Sequence, residues 1–161
     1  MKGFRATATG ITIKLKTEDA ELLADLAAQL AELVASRDES TGDPAIARLL
    51  PVAYLDNDED AAEFRRFTED ELADDKVQGA LEMAETLRTP AADGKLQLTL
   101  DVATAIAWLR TFTDLRLALA ARLGVEDPEA AIPEDEAQRL SFAIYYWLGE
   151  LQWSLVSAVD R

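Results

Sequence analysis

The chain has 161 residues, 49% hydrophobic and 29% charged, which fits one folded domain with a substantial core and excludes a disordered protein. With 31 acidic and 16 basic residues, the formal net charge is −15, which disfavours nucleic acid and anionic membranes as partners. The sequence contains no His and no Cys, so thiol chemistry and the commonest metal ligands are excluded, and we expect no metal and no other cofactor.

The N-terminal third predicts a hairpin followed by a helix. Apolar residues alternate over residues 3–15, and Thr9-Gly10 interrupts them with a glycine that a tight turn favours. Thr17, followed by acidic residues, has the pattern of an N-cap. The helix that it begins should run to about Ser36. A polar loop follows over residues 36–44.

The middle of the chain predicts three helices and a strand. Pro44 is a favourable first residue for a short helix. Residues 59–67 predict another short helix, and Thr68 with the acids behind it predicts the N-cap of a separate helix that reaches about Arg88. Alternating residues over 96–100 predict a third strand, which should pair with the hairpin.

The stretch of about 102–123, with Asp101 as its N-cap, predicts the central helix of the fold. Its apolar residues cover an arc of about 200° on a helical wheel, too wide for a surface helix. They are Ile106, Trp108, Leu109, Phe112, Leu115, Leu117, Leu119 and Leu123. Arg116 lies near the middle of this arc, where a buried guanidinium needs an acidic partner.

The last helix should run from about Glu134 almost to Arg161, and it is apolar around most of its circumference. Gly149 in its interior suggests a close crossing by another helix. Its aromatic residues Tyr145, Tyr146 and Trp153, with Trp147, belong either to the core or to a surface that binds a partner or a second copy.

Lys76 and Arg116 are the charged residues that the pattern places on apolar helix faces. One interpretation is structural, with a buried ion pair to an acid such as Glu63, or a lysine that reaches water. The other is functional, with Lys76 and Arg116 as the positive lining of a pocket for a small anionic ligand. No nucleophile motif or phosphate-binding loop is present, so we expect no catalytic residues and no enzyme.

The chain resembles an uncharacterised actinobacterial family, domain of unknown function twenty-seventeen, over nearly its whole length. An ordered set of segments carries the resemblance: Arg48–Tyr54, Phe64–Asp70, Trp108–Arg110, Asp114–Leu119, Arg122–Gly124, Tyr146–Leu148 and Leu151–Gln152. Family members commonly have Asn where this chain has Thr113. The resemblance implies a gene neighbourhood shared with the adaptor of the Clp protease, and for some members a transcription-regulator label.

These observations predict a single domain, 1–161, that is mainly α: a helical bundle around a central apolar helix (about 102–123) with a small antiparallel sheet. No signal peptide and no apolar run of about 18 residues is visible, so we expect a cytoplasmic protein without membrane contact. We expect a non-enzymatic interaction domain, with the Clp adaptor or protease as suggested partners and a homodimer as an alternative. Two other expectations stay open: an anionic ligand near Arg116 and Lys76, and transcriptional regulation through protein partners.

Overall fold

The computed structural model describes residues 3–37, 43–50, 59–123 and 136–160, with the side chains of the long third helix described from Phe67 onward. These residues form a mainly helical fold with one three-stranded antiparallel sheet, which confirms the predicted fold class. In chain order the elements are β1 (Arg5–Thr7), β2 (Gly10–Lys16), α1 (Thr17–Ala35), α2 (Pro44–Leu49), α3 (Glu59–Leu87), β3 (Lys95–Leu100), α4 (Val102–Leu123) and α5 (Glu136–Val159).

The sheet has the strand order β1-β2-β3, so the predicted pairing of the hairpin with the third strand is confirmed. Alternate residues point inward and are buried, as Ile13, Leu15 and Leu98 show. Gly10 begins β2 at a φ of 145°. A Cβ at this position would lie 2.6 Å from the Leu100 carbonyl oxygen, so the close approach of β3 requires glycine here.

The predicted starts of α1, α2 and α4 agree with the structure to within one residue, although the predicted cap does not always make the capping hydrogen bond. Asp101 accepts a hydrogen bond of 2.7 Å from the Thr104 backbone N–H and caps α4 as predicted. Asp43 caps α2 in the same way, and Pro44 is its first residue. The prediction that Thr17 caps α1 is wrong, because the helix already includes Thr17, whose N–H donates to the Gly94 carbonyl at 3.0 Å.

The predicted break between a short helix at 59–67 and a second helix from Thr68 is wrong. One continuous helix, α3, covers all 29 residues from Glu59 to Leu87. The capping pattern at Thr68 does not end a helix by itself, since no Gly or Pro interrupts the chain before Gly79. Backbone hydrogen bonding through Thr68 satisfies the groups that a new N-terminus would have left unpaired.

Helix α4 packs against α1, α2, α3 and α5, so its predicted central position is confirmed. Trp108, Phe112 and Leu115 are buried, and the Phe4 ring meets the Trp108 and Phe112 rings edge-on at 6.2 Å. The predicted apolar arc is wider than the buried surface. Ile106 and Leu117 remain 40% and 36% exposed, because they lie on the side of α4 that faces solvent.

The predicted polar loop over residues 36–44 lies partly outside the described residues, and residues 51–58 and 124–135, which include the predicted start of the last helix at about Glu134, lie wholly outside them. Within the described part of the chain, no helix has the length and apolar character that crossing a membrane requires.

Candidate functional site

Arg116 extends from α4 toward α5 and is held there by neutral groups. Its Nη1 donates to Gln152 Oε1 at 3.2 Å, and its guanidinium carbon lies 4.6 Å from the centre of the Tyr145 ring. Gln152 is itself fixed, because its Nε2 donates to Thr113 Oγ1 at 2.7 Å. The aromatic face stabilises the cation, and the amide positions it.

Arg116 has no acidic partner among the described residues. Its Nε is buried and makes no hydrogen bond. A buried donor without an acceptor costs free energy, so the α4–α5 contact tolerates a penalty here. The prediction that a buried arginine must find an acid is wrong for the described part of the chain, because the Tyr145 ring and the Gln152 amide take that place.

Gly149 makes room for this arginine. A Cβ on Gly149 would lie 3.2 Å from Arg116 Nη2 and 3.3 Å from its guanidinium carbon. Glycine in the middle of a helix costs about 1 kcal/mol relative to alanine, and the guanidinium occupies the space that this residue leaves. The predicted close crossing at Gly149 is therefore made by a side chain of α4 rather than by its backbone.

Next to Arg116, helix α5 carries a set of aromatic side chains that we call the aromatic patch. It consists of Phe142, Tyr145, Tyr146 and Trp153 of α5, and Arg116 of α4 lies against its Tyr145 ring. The Tyr145 and Tyr146 rings meet edge-on at 5.7 Å, and the Phe142 and Tyr146 ring centres lie 6.3 Å apart. Trp153 is 72% exposed and Tyr146 is 46% exposed, so the patch presents large apolar groups to solvent.

Lys76 lies in a different place and has a full partner. Its Nζ donates to Asp114 Oδ1 at 2.7 Å, between α3 and α4, and both side chains are largely buried. Burial raises the pKa of the Asp114 carboxyl above its ordinary value, and the Lys76 ammonium partly opposes this shift. The pair is a buried ion pair of the predicted structural kind, with Asp114 as the acid. The side chain of Glu63 lies outside the described residues.

The structure brings some predicted site residues together and separates others. Arg116 contacts the Tyr145 ring, Tyr145 contacts Tyr146, and Trp153 follows Tyr146 by two helical turns on α5. Among the described residues, Lys76 and Arg116 have different hydrogen-bond partners. Asp114 and Arg116 lie two residues apart on α4, a rotation of about 200°, so the pair with Lys76 faces α3 while Arg116 faces α5.

Sequence reasoning missed Asp114 and Gln152, which hold these two cations. The signal that could have found Asp114 is its position in the helical pattern: it is an acidic residue on the side of α4 that carries small residues and faces α3. Among the described residues no group of three or more acids could hold a metal ion. The exposed rings suit the binding of another molecule, because Tyr, Trp and Arg are enriched at the centres of protein interfaces.

A sequence profile of the family described as Domain of unknown function (DUF2017) matches residues 1–159. The chain belongs to this family. The match covers almost the whole sequence and confirms the resemblance that the ordered segments indicated. It brings no reaction or ligand with it.

Two of the similar proteins carry names that describe a role. The chain is 35% identical over 131 residues to the putative oxidative stress regulator AosR of Mycobacterium leprae, which covers 73% of this chain and 58% of that protein. It is 32% identical over 176 residues to the oxidative stress regulator AosR of Mycobacterium tuberculosis, with 88% and 78% covered. The chain therefore spans little more than half of the Mycobacterium leprae protein. No solved structure is significantly similar to it.

Proposed function

We propose that this chain is a non-enzymatic regulatory domain of an actinobacterial stress response that acts by binding a protein partner through the aromatic patch. The observation that carries the proposal is Trp153, a tryptophan that is 72% exposed on α5, two helical turns after the half-exposed Tyr146. Leaving such rings in water forgoes the free energy of burying them, which a partner surface would recover.

The composition limits how the domain would respond to stress. Relatives are named oxidative stress regulators, yet these 161 residues contain no Cys, and the described methionine, Met83, is completely buried. Thiol oxidation within these residues is therefore excluded. On this proposal the domain works in the cytoplasm, relays a signal that a partner supplies, and regulates transcription through that partner.

The patch also has the electrostatic character that a protein contact requires. Arg116 is held at the edge of the exposed rings with its charge unpaired by any described acid. An arginine on an aromatic ring is a frequent hot-spot combination, and a carboxylate on the partner would compensate its charge.

The experiment is quantitative co-purification from actinobacterial cells with three full-length baits: the unchanged protein, Trp153→Ala, and Leu140→Ala. Leu140 is the matched control, because it is an exposed apolar residue of α5 outside the patch, with 64% of its surface in water. We expect a specific partner to be lost about tenfold or more with Trp153→Ala and kept with Leu140→Ala.

Two named candidates should be measured directly, namely the Clp adaptor and the Clp protease, together with self-association by sedimentation at several concentrations. A complex with any of the three that depends on Trp153 would identify the occupant of the patch. The proposal fails if the proteins recovered are the same for the unchanged bait and the Trp153→Ala bait.

A further inference from the structure

The solvent face of the sheet is basic, although the chain as a whole is strongly acidic. The three strands contain Arg5, Lys14, Lys16 and Lys95 and no Asp or Glu, and all four basic side chains are exposed. By contrast, α1 contains five acidic residues and no basic residue. Folding therefore places four of the 16 basic residues on a sheet face whose strands contain no acid.

The strand register brings three of these cations close together. Lys16 lies directly opposite Lys95, and residues in this relation have Cβ atoms about 5 Å apart. Lys14 projects from the same face of β2, about 7 Å from Lys16 along the strand. Like charges directly opposite one another destabilise a sheet. No acid among the described residues forms an ion pair with Arg5, Lys14, Lys16 or Lys95.

These side chains line a cavity of about 470 Å³ on the sheet surface. It is bordered by all four basic residues and by the polar residues Thr12 and Gln97, and no acid contributes to its wall. Two smaller hollows adjoin it at Lys14, and their acids Asp19, Glu150 and Asp93 lie outside the central cavity. The volume lies within the range of small-molecule sites.

We propose that this cavity binds the polyphosphate group of a small molecule, held by Lys14, Lys16 and Lys95 with Arg5 at its rim. Lysine ammonium groups bind phosphate oxygens as point charges, and hydroxyl and amide groups nearby supply further hydrogen bonds. Three lysines whose attachment points lie within about 8 Å of one another match two or more linked phosphates, whereas a single carboxylate would leave charges unpaired. The open side of the cavity leaves room for the rest of the ligand. The site shares no residue with the aromatic patch and does not depend on the function proposed for it.

Local charge favours a small ligand over a long polyanion. Charges farther away than about 8 Å are largely screened at physiological salt, so a ligand within the cavity is attracted mainly by the basic residues around it. A nucleic acid that extended past the sheet would meet the acidic helices and be repelled, since the net charge of the chain is −15.

The experiment is a titration of the full chain with inorganic tripolyphosphate and, separately, with orthophosphate, followed by backbone amide shifts and by calorimetry at about 0.15 M salt. We expect shifts confined to β2 and β3, and tripolyphosphate binding at least about tenfold more tightly than orthophosphate. Lys16→Gln and Lys95→Gln should each weaken tripolyphosphate binding about tenfold. Arg110→Gln is the matched control, because it removes the same charge from the exposed side of α4, and it should bind normally.

Folding does not confound this test, because Lys16→Gln or Lys95→Gln relieves a like-charge contact and should leave the melting temperature unchanged or higher. The proposal is overturned if tripolyphosphate does not bind, or if Lys16→Gln and Lys95→Gln bind it as well as Arg110→Gln does. It is also overturned if duplex DNA or a polyglutamate peptide binds through Lys16 and Lys95 more tightly than tripolyphosphate, since the sheet would then recognise a macromolecule.

Discussion

At the scale of single residues, Lys76 and Arg116 show two ways of placing a cation on an apolar helix face. Lys76 receives a carboxylate at 2.7 Å, so both charges are compensated where water is scarce. Arg116 receives an aromatic ring and an amide oxygen, which leave its Nε without an acceptor. The delocalised charge of a guanidinium is more weakly hydrated than an ammonium, so arginine tolerates this neutral environment better than lysine would.

Replacing Lys76 with Met should destabilise the fold strongly, because it leaves the Asp114 carboxylate buried without a counter-charge. The expected loss in the free energy of unfolding at about pH 7 is about 3–5 kcal/mol, measured by urea denaturation. The exposed pair of Arg88 and Asp25, 3.5 Å apart, provides the control. Arg88→Met should cost less than about 1 kcal/mol, and equal losses in the two variants would contradict the assignment.

The same pair predicts a pH dependence with a definite sign. Burial raises the folded-state pKa of Asp114, so its contribution to stability is present below the unfolded value of 3.8 and is lost as the pH rises through the folded pKa. Without Lys76 that pKa rises further. The deficit of Lys76→Met should therefore shrink on acidification from about pH 7 to about pH 4.5, and a constant deficit would show that Asp114 does not titrate there.

At the scale of elements, the contact between α4 and α5 is set by a glycine and an arginine that fit each other. Gly149 omits the side chain that would collide with the Arg116 guanidinium. Helix α3 illustrates the opposite influence, since a local capping signal at Thr68 yields to a continuous 29-residue helix. A contact between elements accounts for Gly149, whereas α3 continues past Thr68 because no Gly or Pro interrupts the chain there.

Gly149→Ala tests this fit through its coupling to Arg116. Alone, the substitution should gain little or lose stability, because the new Cβ presses on the guanidinium and offsets the better helix propensity. In an Arg116→Ala background, the same change should raise the free energy of unfolding by about 1 kcal/mol. Thermal or urea denaturation of the four proteins gives the coupling energy, and strict additivity would mean that Gly149 and Arg116 do not interact.

At the scale of the whole molecule, the charge is divided among surfaces rather than spread evenly. Helices α1 and α3 pack against each other and contain most of the described acidic residues. In the strands, by contrast, all charged residues are basic. The net charge of −15 therefore does not describe the local charge of any single surface. Repulsion between neighbouring acidic residues destabilises the folded state, whereas the basic residues of the sheet attract an anionic ligand.

Salt should stabilise the protein as a consequence. Raising sodium chloride from about 10 mM to about 150 mM shortens the Debye length from about 30 Å to about 8 Å and screens the repulsion between the acidic helices. We expect the melting temperature to rise over this interval, and to rise equally with potassium chloride because screening depends on ionic strength. A fall would mean that attractive ion pairs outweigh the repulsion.

The sequence by itself determined the elements of this protein except for the continuity of α3, because strand and helix patterns arise from the local alternation of apolar and polar residues. The hairpin, the third strand, the cap at Asp101 and the central position of α4 were all predictable in this way. The aromatic residues Tyr145, Tyr146 and Trp153 were also recognisable as a possible surface, since their number exceeds what one helix face buries.

Only the tertiary structure decided which residues meet. Asp114 reaches Lys76 across 38 positions of the chain, and Gln152 reaches Arg116 across 36, distances over which periodicity carries no information. The basic face of the sheet depends likewise on the register that sets Lys16 opposite Lys95. Local patterns fix what a segment forms, whereas partners depend on how several segments pack, and the free energy of that packing is shared by the whole fold.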